Sequence, residues 1–153
     1  MPERSKGRMR VILHATDFSR ASGAAFAKAV DLAQSNGAEL LVVHVLSPVV
    51  PIAGEGYVTP QLYQELESSS RAYANKQLAS LIAKAKKAGV RAKPLLLDGM
   101  PHEAIVRAAR TRRADLIVIG THGRSGLAKL FLGSVAGRVV SSARCPVMTV
   151  RGT

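Results

Sequence analysis

Residues 116–134 read Leu-Ile-Val-Ile-Gly-Thr-His-Gly-Arg-Ser-Gly-Leu-Ala-Lys-Leu-Phe-Leu-Gly-Ser. The first four are a short apolar, β-branched run that ends at a glycine, which is typical of a buried strand. A glycine-rich loop follows, and Gly133-Ser134 opens an apparent helix. Glycine lets a backbone approach a phosphate closely, and the first N–H groups of a helix have no internal partner. This order predicts a nucleotide phosphate site, although turn chemistry alone also explains a glycine-rich loop.

Short apolar runs and helical patterns alternate over the rest of the chain. Strands are predicted at residues 10–15, 40–46, 90–97, 116–119 and 146–150. Repeated strand–helix units predict an α/β fold, a single doubly wound open five-stranded parallel sheet with helices on both faces. The second run is apolar on both faces, as expected inside such a sheet. His14 and His44 lie within the first and second runs, and we expect both to be core histidines with satisfied hydrogen bonds. Pro94 cannot donate to a ladder, which predicts that the third strand lies at an edge.

Four helices are predicted between these strands. The first begins at a cap provided by Ser19 or Ser22 and ends at Gly37. The second spans residues 61–88 and follows an excursion at residues 47–60 that reads equally as a lid or as a surface insertion. We expect its buried stripe to comprise Leu62, Leu66, Tyr73, Leu81, Ile82 and Ala85. The last two are predicted at residues 102–113, after Pro101, and 134–143.

The chain has the size and composition of one domain. Its 153 residues are 47% hydrophobic and 21% charged, and we expect a disordered basic arm at 1–9 and a domain at 10–151. A single cysteine excludes an internal disulfide framework. There is no signal-peptide pattern, and no apolar run approaches the roughly 18 residues of a membrane span. These features predict a cytoplasmic protein that does not enter membranes.

The net charge is +12, from 22 Lys and Arg against 10 Asp and Glu. Such a charge attracts polyanions in general. The cations are spread along the chain, however, and no aromatic residues interleave with them as platforms for single strands. We therefore interpret them as solvated surfaces and a mobile tail, and expect nucleic acid not to be a partner.

Polar residues or a glycine-rich loop directly follow two of the predicted strands. Thr16-Asp17 follows the first strand, and Gly120 to Gly123 follows the fourth. Ligands of open parallel sheets bind beyond the carboxyl ends of the strands, where the strand order reverses. If these two strands are neighbours across the reversal, one ligand can touch both loops. Asp17 could accept hydrogen bonds from ribose hydroxyls or help to bind a divalent metal such as Mg or Mn. Alternatively it only starts a helix and favours the helix dipole.

The glycine-rich loop is not one of the two common phosphate motifs. A Walker A motif requires a lysine after its last glycine, whereas Gly133 is followed by Ser134 and Val135. The dinucleotide fingerprint G-x-G-x-x-G should follow the first strand, not the fourth.

The spacing Gly120-x-x-Gly123, nine residues, then Gly133-Ser134 resembles the nucleotide-binding signature of the universal stress protein family. The segments 12–19, 99–103 and 146–150, with His44-Val45, are similar to that family as well. The resemblance covers about residues 10–150. It implies a Rossmann-like fold of the adenine-nucleotide alpha-hydrolase type, and a homodimer that pairs its last strands, Val147 to Val150. Family members with the intact signature bind ATP, and those that have lost it generally do not.

The resemblance also implies a role for each matching position. The phosphates of ATP, AMP or ADP would lie against Gly123, Gly133, Ser134 and Val135. Gly120 and Asp17 would meet the ribose. Adenine would lie against Ala15, Thr16 and Ile119, with the Val45 backbone at its edge. Ala15 stands where some relatives have proline, and we expect a small apolar wall to remain.

Two further loop residues have alternative interpretations. His122 could contact a phosphate or simply pack the loop, and Arg124 could steady the outer phosphates or remain solvated. Phosphoryl transfer needs a positioned base, and none is obvious beside the loop. The sequence therefore favours a regulatory or stress-response module that binds adenine nucleotides. The alternative is a slow ATPase or nucleotidyl-transfer enzyme on the same fold.

Overall fold

The computed structural model describes residues 7–48, 59–122 and 132–152. In that part of the chain, strands and helices alternate in the order β1 (Val11–Ala15), α1 (Ser22–Asn36), β2 (Glu39–Leu46), α2 (Pro60–Lys87), β3 (Ala92–Asp98), α3 (Pro101–Thr111), β4 (Leu116–Gly120), α4 (Ser134–Ser142) and β5 (Val147–Val150). Within these residues, no helix combines the length and the apolar character that crossing a membrane requires.

The strands form one parallel sheet in the order β3-β2-β1-β4-β5. The chain moves outward from β1 to β3 and then returns to add β4 and β5 on the other side, so the order reverses between β1 and β4. The predicted α/β fold class, with its doubly wound five-stranded sheet, is confirmed.

Two apolar layers cover the sheet. Ile12, Leu40 and Val118 face α1 and α2, whereas the next residues along the same strands face α3 and α4. Because both faces are covered, the central strands have no polar side, which explains their continuous apolar runs. Small residues such as Ala25, Ala29 and Ala33 let α1 approach the sheet closely.

Edge position explains the proline of β3. Leu40 donates its N–H to Arg91 O (2.8 Å), so odd-numbered residues of β3 turn their backbone groups toward β2. Because these groups alternate along a strand, Pro94 lies where an N–H would point away from β2, at the outer edge of the sheet. The predicted edge position is confirmed.

The predicted stripe of α2 is wrong in its first half. Leu62, Leu66 and Tyr73 are 43%, 44% and 52% exposed, and the buried residues are Ala74, Leu78, Ile82 and Ala85. A helix of 28 residues is about 42 Å long, whereas the eight residues of β2 span about 26 Å. The helix therefore runs past the sheet, and its first half has no sheet to pack against.

The ends of α1 agree with the sequence at one terminus only. Gly37 ends the helix in the left-handed conformation (φ 63°), as predicted. At the start, the N-cap position is Ala21 and no side chain caps it, although Ser19 Oγ accepts a hydrogen bond from Ser22 N (3.3 Å). The N-cap position is therefore not a serine, but Ser19 does provide a side-chain acceptor for a backbone N–H at the start of the helix.

Candidate functional site

A cavity of about 540 Å³ opens at the carboxyl ends of β1 and β4. The two strands are neighbours in register, with Ala15 beside Ile119. The residues that directly follow both strands line the cavity, at the point where the strand order reverses. Crevices at such a switch point are where open α/β sheets hold ligands.

The cavity has an apolar floor and polar walls. It is lined from β1, β2, β4 and the first turns of α1, α3 and α4, by Ala15, Thr16, Asp17, Ser22, Val43, His44, Val45, Leu46, Ser47, Pro101, Ile105, Ile119, Gly120, Thr121, His122, Gly133, Ser134, Val135 and Ala136.

The first wall is the turn after β1. Thr16 is buried, and its Oγ1 accepts a hydrogen bond from Phe18 N (3.0 Å) and lies 3.1 Å from Ser22 Oγ. Asp17 Oδ1 accepts from Ser19 N (2.9 Å). Phe18 adopts φ 63°, an uncommon conformation for a residue other than glycine. These bonds fix the turn and hold the Asp17 carboxylate at the cavity.

His44 is a cavity residue that the sequence did not single out. Its Nδ1 donates to Thr16 O (2.7 Å), so the proton is assigned to Nδ1. Its ring stacks on Phe18 with centroids 4.2 Å apart. We expected a core histidine because it lies in an apolar run, but it is half-buried where β2 extends past the end of β1 while still pairing with β3. The sequence signal for a place in the site was that His44 directly precedes Val45, whose backbone was expected at the edge of the adenine.

The second wall begins at the end of β4. Thr121 N donates to Val150 O (2.9 Å), and Gly133 N donates to Thr121 O (2.6 Å). These bonds tie the start of α4 to β4 and β5. Thr121 Oγ1 lies 3.0 Å from His122 Nδ1. His122 Nε2 is buried, and no hydrogen-bond partner for it exists in the part of the chain that the structure describes.

The N-terminus of α4 faces the cavity without a side-chain cap. Gly133 is the N-cap residue, and within the described residues there is no side-chain cap hydrogen bond at this helix start. By contrast, Thr59 caps α2, and both α2 and α3 begin with proline, which has no N–H. The first N–H groups of α4 carry the positive end of the helix dipole. An anion is the chemical complement of this wall.

His14 lies directly below the cavity, in the core. It is fully buried; Nδ1 bonds Val118 O (3.0 Å), and the ring centroid is 5.7 Å from that of Phe26. Burial lowers its pKa from 6.5 to about 4, against the opposing effects of the Val118 carbonyl and, more weakly, of Asp17. We expected a satisfied core histidine. The burial is confirmed, but Nε2 has no partner among the described residues.

Ten of the twelve residues predicted for the site line this one cavity: Ala15, Thr16, Asp17, Val45, Ile119, Gly120, His122, Gly133, Ser134 and Val135. Gly123 and Arg124 lie outside the described residues. Within the described ranges, no group of three or more His, Cys, Asp or Glu side chains could hold a metal ion. A metal here would rely on Asp17 and on oxygen atoms of a ligand.

A doubly wound parallel sheet with a crevice at its strand reversal defines a Rossmann-like α/β protein. The family model described as the universal stress protein family matches residues 9–151, and the chain belongs to that family.

Individual relatives are similar over nearly their full length. A universal stress protein of Thermus aquaticus, named for the QAH/OAS sulfhydrylase 3′ region, is 42% identical over 142 residues, which are 93% of this chain and 98% of the relative. The structure of UspA from Lactobacillus plantarum has a TM-score of 0.81 at 29% identity and covers 94% of this chain and 99% of its own. The universal stress protein of Archaeoglobus fulgidus in complex with dAMP has a TM-score of 0.64 at 25% identity, covering 94% and 98%.

Proposed function

We propose that the cavity binds an adenine nucleotide, ATP in particular, and that the protein acts as a regulatory or stress-response binding module. The observation that carries this proposal is the opposite polarity of the two cavity walls. Asp17 provides a hydrogen-bond acceptor on one side, and the uncapped start of α4 provides donors on the other. A nucleoside phosphate has the matching order, with ribose hydroxyls in the middle and anionic oxygens at one end.

The proposed arrangement assigns each part of the nucleotide to a different element. Adenine lies on the floor formed by Ala15, Thr16 and Ile119, with the Val45 backbone at its edge. The ribose hydroxyls donate to Asp17, near Gly120. The phosphates accept from the N–H groups of Ser134 and Val135 in the first turn of α4 and from the Ser134 hydroxyl. The Gly133 N–H already donates to Thr121 O, so Gly133 contributes a close backbone approach and no donor. Gly123, His122 and Arg124 complete the phosphate end.

A relative supports the class of ligand. The Archaeoglobus fulgidus protein is described as a complex with dAMP. That complex favours an adenine nucleotide in this family, and the choice of ATP here rests on the resemblance of the glycine spacing.

A divalent metal fits as a companion of the phosphates only. Asp17 is one carboxylate in a cavity whose other polar groups are mainly donors or neutral oxygens. Mg²⁺ is commonly held by one or two carboxylates together with substrate phosphates and water. Asp17 would contribute its carboxylate to Mg²⁺ or Mn²⁺, and the metal would neutralise phosphate charge.

Slow ATP hydrolysis is the second candidate function. The observation that favours it is the buried, unpartnered His122 Nε2 at the phosphate side of the cavity. An imidazole nitrogen there could accept a proton from an attacking water. Phosphate release from ATP measures this directly. A turnover near about 1 per second would place the protein among ordinary enzymes and contradict a binding role.

Calorimetric titration with ATP, AMP and cyclic AMP tests the proposal. We expect one binding site per chain and tighter binding of ATP than of adenosine, because the phosphates meet the start of α4. GTP is the matched control, since it has the same ribose and phosphates but a different base edge. Equal affinity for ATP and adenosine, or no binding of either, would contradict the proposal.

We also propose that two copies associate through β5, as the family resemblance implies. In the described sheet, β5 pairs with β4 on one side and has no strand on the other. The opposite edge of the sheet carries Pro94 and the ion pair of Lys93 with Glu39 (3.3 Å), features that discourage strand pairing. β5 contains neither proline nor a charged residue, so it is the edge better suited to a second copy.

A further inference from the structure

All five strands are parallel, so they begin at the same end of the sheet. Each helix returns the chain to that end of the sheet. The loops after α1, α2, α3 and α4 therefore lie there, as does the stretch before β1. The nucleotide cavity lies at the carboxyl ends of the strands. The end at which the strands begin is therefore opposite to the cavity and remote from it.

Exposed arginines lie shortly before four of the five strands. We call these six residues the arginine row: Arg8, Arg10, Arg91, Arg112, Arg113 and Arg144. The strand order spreads them from β3, through β1 and β4, to β5. Four strand spacings of about 4.8 Å make this row roughly 19 Å wide.

Contacts hold part of the row together. Arg8 Nε donates to Asn36 O (2.6 Å), and an Arg91 guanidinium nitrogen donates to Gly37 O (3.2 Å). Both arginines therefore converge on the C-terminus of α1. Further cations lie in the last turns of two helices, at Lys84, Lys86, Lys87 and Arg110.

The carboxylates at this end are few and are engaged. Glu39 pairs with Lys93, and Asp115 Oδ2 accepts from the backbone N–H groups of Arg10 (2.7 Å) and Val11 (3.0 Å). Asp31 lies further up α1. Four helix C-termini add about half a negative charge each. Together these groups offset only part of the ten cations, so a positive field remains at this end.

We propose that the arginine row binds the phosphate backbone of double-stranded DNA without reading its sequence. Arginine presents planar forks of donors that match phosphate oxygens. A duplex segment about 19 Å long carries about eleven phosphate charges, which is the complement of such a row. This proposal reverses the expectation from the sequence, in which the same cations are scattered.

Two other polyanions fit this end less well. The loops and helix ends that form it contain no Phe, Tyr or Trp in the described chain, so single strands find no stacking platform. Among the residues that the structure describes, the exposed large apolar ones are Leu62, Leu66, Tyr73, Met100, Leu132 and Val140. None belongs to these loops, so nothing there would insert into a lipid surface.

The test uses the full chain and two matched triple variants. One carries Arg112→Gln, Arg113→Asn and Arg144→Gln, with Asn chosen because Arg113 has φ 53°. The control carries Lys28→Gln, Lys76→Gln and Arg107→Gln, exposed positions within α1, α2 and α3. Both variants lose three positive charges, so net charge alone does not distinguish them.

Fluorescence anisotropy with a random duplex of about 20 base pairs gives the affinity between about 50 and 200 mM salt. We expect the unmodified chain to show a slope of log K against log salt of about −4, and the row variant to lose about 2.7 of that slope. Its affinity at about 100 mM should fall at least about tenfold, while the control stays within about twofold. Saturating ATP should leave duplex binding unchanged, because the cavity is at the other end.

Three results would overturn the proposal. The first is an equal loss of duplex binding in both variants, which indicates a net-charge effect. The second is displacement of the duplex by ATP, which places it at the cavity. The third is binding to anionic lipid vesicles with no binding to the duplex. None of these results bears on whether the cavity binds a nucleotide, so the two proposals fail separately.

Discussion

At the scale of single residues, Asp17 offers the cleanest test of the ribose assignment. Asp17→Asn keeps an oxygen that can accept from Ser19 N, as Oδ1 now does at 2.9 Å, and removes only the charge. Hydrogen bonds to a charged group are worth about 1 kcal/mol more than neutral ones. We therefore expect calorimetry to show ATP binding about fivefold more weakly to the variant.

The control for Asp17 is Asp31→Asn, an identical change at an exposed position of α1, which should leave ATP affinity unchanged. A nucleotide control adds specificity. The unmodified protein should discriminate against 2′,3′-dideoxy-ATP, and Asp17→Asn should lose most of that discrimination. If the variant discriminates as strongly as the unmodified protein, Asp17 does not meet the ribose.

His14 makes the stability of the fold depend on pH. Burial lowers its pKa from 6.5 to about 4 in the folded protein, so the unfolded chain takes up the proton first. The stabilisation is complete above about pH 6.5 and is lost as the pH falls toward 4. Urea unfolding should show a free energy of unfolding about 2 kcal/mol lower at pH 5 than at pH 7.5 from this group alone.

The matched variant for that prediction is His14→Gln, which retains a donor for Val118 O but does not titrate. It will be less stable at every pH, because a core ring is replaced. The informative quantity is the difference between the two pH values, which should shrink by about 2 kcal/mol. An unchanged difference would show that other groups cause the pH dependence.

At this scale, the sequence predicted the site residues that stand directly after a strand or at the start of a helix. It missed residues whose role depends on contacts with distant parts of the chain. Asp17 and Ser134 stand directly after a strand and at a helix start, so local pattern and family spacing placed them. His44 was read as core because apolar residues flank it in the chain. Its contacts with Thr16 O and Phe18 come from a turn that is distant in sequence, and no local pattern reports them.

At the scale of elements, the start of α4 is the proposed phosphate site, and Ser134→Pro tests it. Proline suits the first position of a helix, and Gly133 already has an extended backbone (φ −57°, ψ 158°) that a following proline requires. The change removes one N–H and one hydroxyl without breaking the helix. We expect ATP affinity to fall by at least about tenfold, as for loss of two hydrogen bonds to an anion.

Ser134→Ala separates the two groups, since it removes only the hydroxyl and should cost less than Ser134→Pro. Adenosine binding serves as the internal control, because it has no phosphate and should be unaffected by either change. Circular dichroism confirms that both variants fold. Equal weakening of adenosine and ATP in folded Ser134→Pro would argue against a phosphate at α4.

The proposed pairing of β5 leads to a prediction about mass. Pro146 O and Val150 O accept hydrogen bonds from β4 and its loop, so Thr149, one residue out of phase, directs its N–H to the outer edge. Thr149→Pro removes that donor without removing a bond to β4. Analytical ultracentrifugation should show a dimer for the unmodified chain and a monomer for the variant. Thr149→Val keeps the N–H and should remain dimeric, and a Thr149→Pro dimer would contradict pairing through β5.

The surroundings of an element were predictable where a residue visible in the sequence also restricts where that element can lie in the fold. Pro94 marks a missing donor, and a missing donor is tolerated at an edge, so sequence and topology agree. The prediction of the buried stripe of α2 failed for the opposite reason. Its apolar residues have helical spacing, but whether they are buried depends on the length of the sheet below them, which lies elsewhere in the chain.

At the scale of the whole molecule, the alternation of strands and helices was enough to predict the sheet and its reversal. Parallel strands require crossovers, and few topologies satisfy that constraint. The clustering of charge was not predictable in the same way. Arg8, Arg91 and Arg144 are far apart in sequence, and only the common direction of the strands brings their loops to one end.

The proposed binding mode places an adenine nucleotide in one cavity, between Asp17 and the start of α4. A crystal structure of the full chain with ATP and Mg²⁺ tests it most directly. We expect phosphate oxygens within hydrogen-bond distance of the first N–H groups of α4 and the ribose against Asp17. ATP bound elsewhere, or bound here with its phosphates directed away from Ser134, would contradict it.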